Sequence, residues 1–188
     1  MARLTIGIQG SRGSVNEKGC LFFASKYHWG DIEIKYLIST DNVLKELTEG
    51  TIDRGTFAWE STRAGMVRET QRAVHNYSFT LLDEEWFCPE HALLMKTPIE
   101  TTQPIHIFSH PQALLEHKSY IISRFPNARL IDEIDTAVAA YNLEHDAYEK
   151  NSLVIAPIEC AQIYNLSVFE KNLPTNEGYL TKIVLVQR

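Results

Sequence analysis

Two short runs set hydroxyls beside cations in a chain that is otherwise acidic: Glu60-Ser61-Thr62-Arg63 and Thr181-Lys182. A hydroxyl can donate or accept a hydrogen bond, and a neighbouring cation can meet an anion. The same residues have plainer uses, Ser61 or Thr62 as a helix N-cap with Arg63 solvated, and Lys182 as a charge that discourages edge-strand pairing. A third feature is the spacing Gly7, Gly10, Gly13 after an apolar strand and before a helix. Backbone N–H groups and the helix dipole at such a turn favour an anion. A dinucleotide fits poorly, because no tyrosine is followed four residues later by lysine and only Asp41 vaguely meets the ribose-binding acid. A carboxylate ligand or a purely structural turn fits better.

Other chemistries are set aside on spacing and charge. His106 and His110 have helical ligand spacing but fall in an alternating run, and strand residues four apart are about 13 Å apart, too far for one metal. No metal and no organic cofactor is expected. The 18 basic residues are scattered against 24 acidic ones, for a net charge of −6, so nucleic acid is not expected as a partner. Cys20, Cys88 and Cys160 are odd in number and lack CxxC spacing, which points to free thiols and a cytoplasmic location. The N-terminus lacks the apolar stretch of a signal peptide, and no run approaches the ~18 apolar residues of a membrane span.

Elements must hold these groups. A strand over 4–9 leads to a helix capped by Ser14, and a second strand over 32–38 leads to a helix capped by Ser39 or Thr40 and ended by Gly50. A strand over 56–59 then delivers Glu60 to Arg63 into a turn, and a helix is read over 64–76. Strands over 78–88 and 92–96 follow. The alternation resumes with a strand over 105–109, a helix over 112–125, a strand over 129–131 and a helix over 136–149. A strand over 153–156 is followed by Pro157 at a helix start. The chain closes with a strand over 167–171, a Pro/Asn/Gly loop over 174–178 and a strand over 179–186. The alternation occurs twice, before about residue 78 and between about 98 and 156, which predicts an α/β protein of two similar lobes with a ligand cleft between them.

Several patches, in order along nearly the whole chain, resemble the catalytic domain of the prephenate dehydratase family. Gly10-Ser11-Arg12-Gly13-Ser14-Val15 is similar to its opening G-P-x-G-S/T-F, and the run from Ala58 to Val67 resembles its P-I/V-E-N-S-x-x-G-x-V segment. Pro89-Glu90-His91-Ala92-Leu93-Leu94 resembles P-I-x-H-x-L. Ser109-His110-Pro111-Gln112-Ala113-Leu114 is identical to S-H-P-Q-A-L, and Thr136 to Ala140 and Ile155 to Pro157 resemble later motifs. Thr181-Lys182-Ile183 looks like the terminal T-R-F.

The resemblance implies a fold like the type II periplasmic binding proteins, with lobes of 1–77 plus 165–188 and of 78–164, and a lyase of phenylalanine biosynthesis. Such an enzyme converts prephenate to phenylpyruvate, water and CO2, without metal or cofactor. It implies Thr181 as the catalytic donor to the departing hydroxyl and Lys182 as a cation for a substrate carboxylate. Ser61 and Thr62 would bond substrate, Glu60 would orient the loop, and Arg63 would add a compensating cation. Gly13 and Ser14 would offer N–H groups to a carboxylate, and Ser109 would reach in from the second lobe. The family motifs carry Asn, Arg and Phe where this chain has Ser61, Lys182 and Ile183. The family's regulatory ACT domain is not expected, and a homodimer is. Two alternatives stay open: a prephenate decarboxylase that retains the hydroxyl, and a non-catalytic binder of a small aromatic carboxylate.

Overall fold

In the computed structural model the described residues are 3–63, 65–174 and 179–188. The chain divides into two units, Met1–Pro89 with Gly178–Arg188, and Glu90–Glu177. The first unit holds β1 (Leu4–Ile8), α1 (Val15–Lys26), β2 (Ile32–Tyr36), α2 (Thr40–Glu49) and β3 (Arg54–Ser61). It continues with β4 (Gly65–Met66), α3 (Arg68–Ala73) and β5 (Thr80–Phe87). The second holds β6 (His91–Met95), β7 (His106–Ser109), α4 (Pro111–Arg124), β8 (Arg129–Asp132) and α5 (Thr136–Glu144). Then come β9 (Ser152–Pro157), α6 (Glu159–Ile163) and β10 (Ser167–Glu170). The last strand, β11 (Thr181–Gln187), returns to the first unit.

The first sheet has the order β2-β1-β3-β11-β5, with β4 folded back on β3. β1 is parallel to β2 and β3, while β11 is antiparallel to both β3 and β5. Phe23 of α1 packs with Ala58, Ile183 and Leu185 on one face, and Val43 and Leu44 of α2 and Ala73 of α3 pack with Phe57, Val184 and Val186 on the other. α1 comes close to β11 at Gly19. A Cβ there would lie 2.8 Å from Ile183 Cγ2, so only glycine lets α1 settle on β11. The second sheet has the order β10-β6-β9-β7-β8. Its apolar β9 is buried between α5 and α6 on one side and α4 on the other.

Pairing moves the expected lobe boundaries. β5 joins β11 in the first sheet, and β10 joins β6 in the second, so the division falls near 89/90 and 177/178 instead of 77/78 and 164/165. The helix expected over 64–76 shrinks to α3. Ala64 lies outside the described residues, but Gly65 adopts φ 68°, and with Met66 it pairs back to Ser61 and Glu60 as β4. Glu60 and Ser61 consequently belong to β3, and Val67, which makes no side-chain cap, precedes α3. Pro157 ends β9 instead of opening a helix. The expected loop at 174–178 falls outside the described residues beyond Pro174.

Candidate active site

Parallel strands present their carboxyl ends at one edge of a sheet, where α/β proteins bind ligands. In the first sheet that edge holds the ends of β1 and β3, and β11, running the other way, begins there. Thr181 therefore pairs with Ser61 on one side and Phe87 on the other. It is 7% exposed, and its hydroxyl makes no hydrogen bond among the described residues. Thr62 holds the approach to this position: its N–H donates to Leu180 O at 3.0 Å, and Leu180 N–H donates to its Oγ1 at 3.0 Å. Thr62 thus straps the chain that delivers Thr181. Ser61 is buried beside Thr181, and Arg63 is exposed in the turn beyond.

Lys182 points the other way. Successive strand residues face opposite sides of a sheet, and Ile183 lies under α1 with Leu185 while Val184 lies under α2 and α3. Thr181 shares the α1 side, and Lys182 the opposite one. Its Nζ is 2.9 Å from Glu60 Oε1, 2.9 Å from Glu84 Oε1, and 4.9 Å from the Trp86 ring centroid. The hydrogen bonds to Glu84 and Glu60 raise its pKa. The expectation that the adjoining hydroxyl and ammonium face one ligand is corrected by this alternation, and Lys182 is already bracketed by two carboxylates. A bulge at Trp59, where Lys182 pairs with Glu60 and Ile183 with Ala58, aligns Glu60 with the ammonium.

The turn before α1 is likewise occupied from within. Gly13 N–H donates to Glu17 Oε2 at 2.6 Å, and Ser14 N–H donates to Ser11 O at 3.1 Å. Ser14 Oγ accepts from Glu17 N–H, and the Tyr36 hydroxyl donates to Glu17 Oε1. The anion expected at Gly13 and Ser14 is therefore the chain's own Glu17 carboxylate. α2 repeats the device: Thr40 N–H donates to Glu69 Oε1 at 2.6 Å, and Gln9 Nε2 donates to Glu69 Oε2 at 3.1 Å. Sequence reasoning missed both carboxylates. Ser14 followed three residues later by Glu17 is a capping-box signal that could have found the first.

Ser109, expected as a substrate contact, closes β7 in the second unit. It is fully buried and donates to Ile155 O at 2.6 Å, a bond that ties β7 to β9. His110 caps α4, its Nδ1 accepting from Gln112 N–H at 3.3 Å. His91 Nδ1 lies 3.0 Å from His117 Nε2, and His117 Nδ1 lies 3.1 Å from Pro174 O. A carbonyl only accepts, so His117 carries its proton on Nδ1 and His91 donates to it. Burial, reinforced by His117 and His110, pushes His91 down to about 3. Burial pushes the Cys20 thiol up to about 12, with Glu17 adding to the effect. Among the described residues, no three His, Cys, Asp or Glu side chains are placed to hold a metal, and no helix is long and apolar enough to cross a membrane.

Two α/β units, the second inserted before the last strand of the first, belong to the class of folds shared with the type II periplasmic binding proteins. A periplasmic substrate-binding protein of an ABC transporter from Coxiella burnetii superposes with a TM-score of 0.52 at 13% identity, over 98% of this chain and 84% of its own. Within that class, a sequence model of prephenate dehydratase matches residues 6–188, and the chain belongs to the prephenate dehydratase family. The bifunctional chorismate mutase/prephenate dehydratase of Enterobacter agglomerans is 24% identical over 190 residues, 97% of this chain and 46% of that protein. The crystal structure of prephenate dehydratase from Arthrobacter aurescens in complex with L-Phe has a TM-score of 0.81 at 18% identity, covering 98% of this chain and 60% of its own. The chain thus spans about half the length of the curated relative it matches.

Proposed function

We propose that the chain is a lyase that converts prephenate to phenylpyruvate, water and CO2, in the cytoplasm, as a homodimer serving phenylalanine biosynthesis. The observation that carries this reading is Thr181, a nearly buried residue whose side chain makes no hydrogen bond among the described residues, beside Ser61 at the carboxyl edge of the first sheet.

Prephenate carries a ring carboxylate and a C4 hydroxyl that leave together. The bond from the ring to the carboxylate breaks and its electron pair enters the ring. The C4–O bond breaks as the ring becomes aromatic, and the departing oxygen takes a proton and leaves as water. Thr181 supplies the donor at that oxygen, a role worth about 10²–10⁴-fold in rate. Ser61 holds β3 against Thr181 on the same edge. Thr62, Glu60 and Lys182 keep the two strands in register, which fixes where the hydroxyl points.

Incubation with prephenate, and separately with arogenate, followed by alkaline absorbance of the product, tests the reading. Phenylpyruvate should form from prephenate, with Thr181→Ala slowed ~10²-fold or more and Thr181→Ser retaining much of the rate. Unchanged turnover by Thr181→Ala would remove the donor from the mechanism. A non-aromatic dihydro product would replace the dehydratase with the decarboxylase alternative, and binding without turnover would replace it with the binder.

A further inference from the structure

Three buried polar atoms have no hydrogen-bond partner among the described residues: Asn16 Oδ1, Arg54 Nε and Thr56 Oγ1. Arg54 opens β3 at its amino end, and Thr56 lies within that strand. Asn16 is different, because it occupies the first turn of α1 at the carboxyl edge of the sheet.

Its position follows from the topology. α1 connects parallel strands and so runs against β1 and β3, whereas β11 is antiparallel to β3; α1 and β11 therefore run the same way. Gly19 rests on Ile183, and at the far end Lys26 reaches Asp83, which pairs with Leu185. One turn back along the helix from Gly19, and two residues back along the strand from Ile183, Asn16 comes level with Thr181. Asn16 also shares the inward face: it precedes Gly19 by three residues and Cys20, packed with Ile6 and Ile8, by four. It is 5% exposed.

Two polar side chains without a hydrogen bond among the described residues thus share one level of one edge, the Thr181 hydroxyl and the Asn16 carboxamide. Enclosing an amide without a partner is unfavourable, and native folds pair nearly all such groups. We propose that Asn16 is a substrate-contacting residue, whose carboxamide accepts the hydrogen of the leaving hydroxyl while Thr181 donates to the same oxygen. This rests on the dehydratase reading. A hydroxyl both donates and accepts. With its own hydrogen drawn to Asn16, a lone pair faces Thr181, and proton delivery yields water with no rearrangement.

Thermal unfolding of the ligand-free protein, read beside steady-state turnover of prephenate, tests this in the full chain. Asn16→Ala should lower kcat/KM about tenfold to a hundredfold while leaving Tm unchanged or raised, since it deletes an unpaired group instead of a bond. Asn16→Ser, similar in size to alanine but able to hydrogen-bond, should retain more activity than Asn16→Ala. Wild-type kcat/KM in Asn16→Ala would overturn the proposal, as would a lowered Tm with activity lost only in proportion to unfolding. Inactivity of the wild-type chain on prephenate would remove the dehydratase reading and this inference together. An active wild type with unimpaired Asn16→Ala removes only Asn16.

Discussion

Lys182 shows how far a side chain's work depends on its partners. The Glu60 and Glu84 carboxylates lie on either side of it and Trp86 stacks beneath, so its removal leaves two like charges together in a partly enclosed place. Lys182→Met should lower stability by about 1–3 kcal/mol in urea unfolding, and Lys182→Met with Glu60→Gln should recover part of that loss. Thr181 and Ser61 were each named from motifs that resemble the family's, but that they pair across β11 and β3 is visible only in the fold. Glu84 and Trp86 were not, since they meet Lys182 only through the pairing of strands nearly a hundred residues apart. His91 makes a second case. Its folded pKa lies far below the ordinary histidine value, because burial and the neighbouring His117 and His110 disfavour the imidazolium. Below about pH 6.5 the unfolded chain takes up a proton there and the folded one does not, so its stabilisation is complete above pH 6.5 and is lost as pH falls towards 3. His91→Phe should reduce the slope of stability against pH in that window by about 1.4 kcal/mol per pH unit.

At the scale of elements, α1 is the piece that brings the edge of the first sheet together. Ser14, Glu17 and Tyr36 close its first turn, Gly19 lets it touch β11, and Lys26 with Tyr27 binds Asp83 at its end. Burial opposes ionisation of Asp83, but hydrogen bonds from Lys26, Tyr27 and the Glu84 backbone hold its carboxyl below the usual range. Gly19→Ala would force a methyl against Ile183 and should cost about 1–3 kcal/mol, with turnover falling as α1 lifts from β11. Denaturant midpoints and kcat measured on one preparation check both parts. The βαβα order before β3 was readable from caps and periodicity, as were Ser39 and Gly50 at the ends of α2. The short return through β4 was hidden, because Met66 and Val67 continue an apolar spacing that a helix would also show, and only the left-handed Gly65 breaks it. On the outer strand β5, the N–H groups of Glu84 and Trp86 are taken by the carboxylates of Asp83 and Glu85. This blunts an edge that would otherwise invite another strand.

For the whole molecule, the second unit is one continuous segment and the first is made of two. β11 lies between β3 and β5, so the first sheet has no continuous interior without it. A chain stopped after Pro174 should keep the second sheet protected from limited proteolysis while residues before 89 become digestible throughout. Protection of both halves would show that β3 and β5 can close on each other. The α/β alternation announced two units in the sequence, but the seam was misplaced because β5 and β10 look alike until each finds its sheet.

That ordering bears on how the protein is made. Everything in the second unit leaves the ribosome before the strand that completes the first, so the opening sheet must wait, with β3 and β5 unjoined, while a whole neighbour matures. Thr181 rides on the strand that ends the wait. Under the proposed reading, a nascent chain interrupted at any earlier point has no partial catalyst to release, and competence arrives in a single closing step.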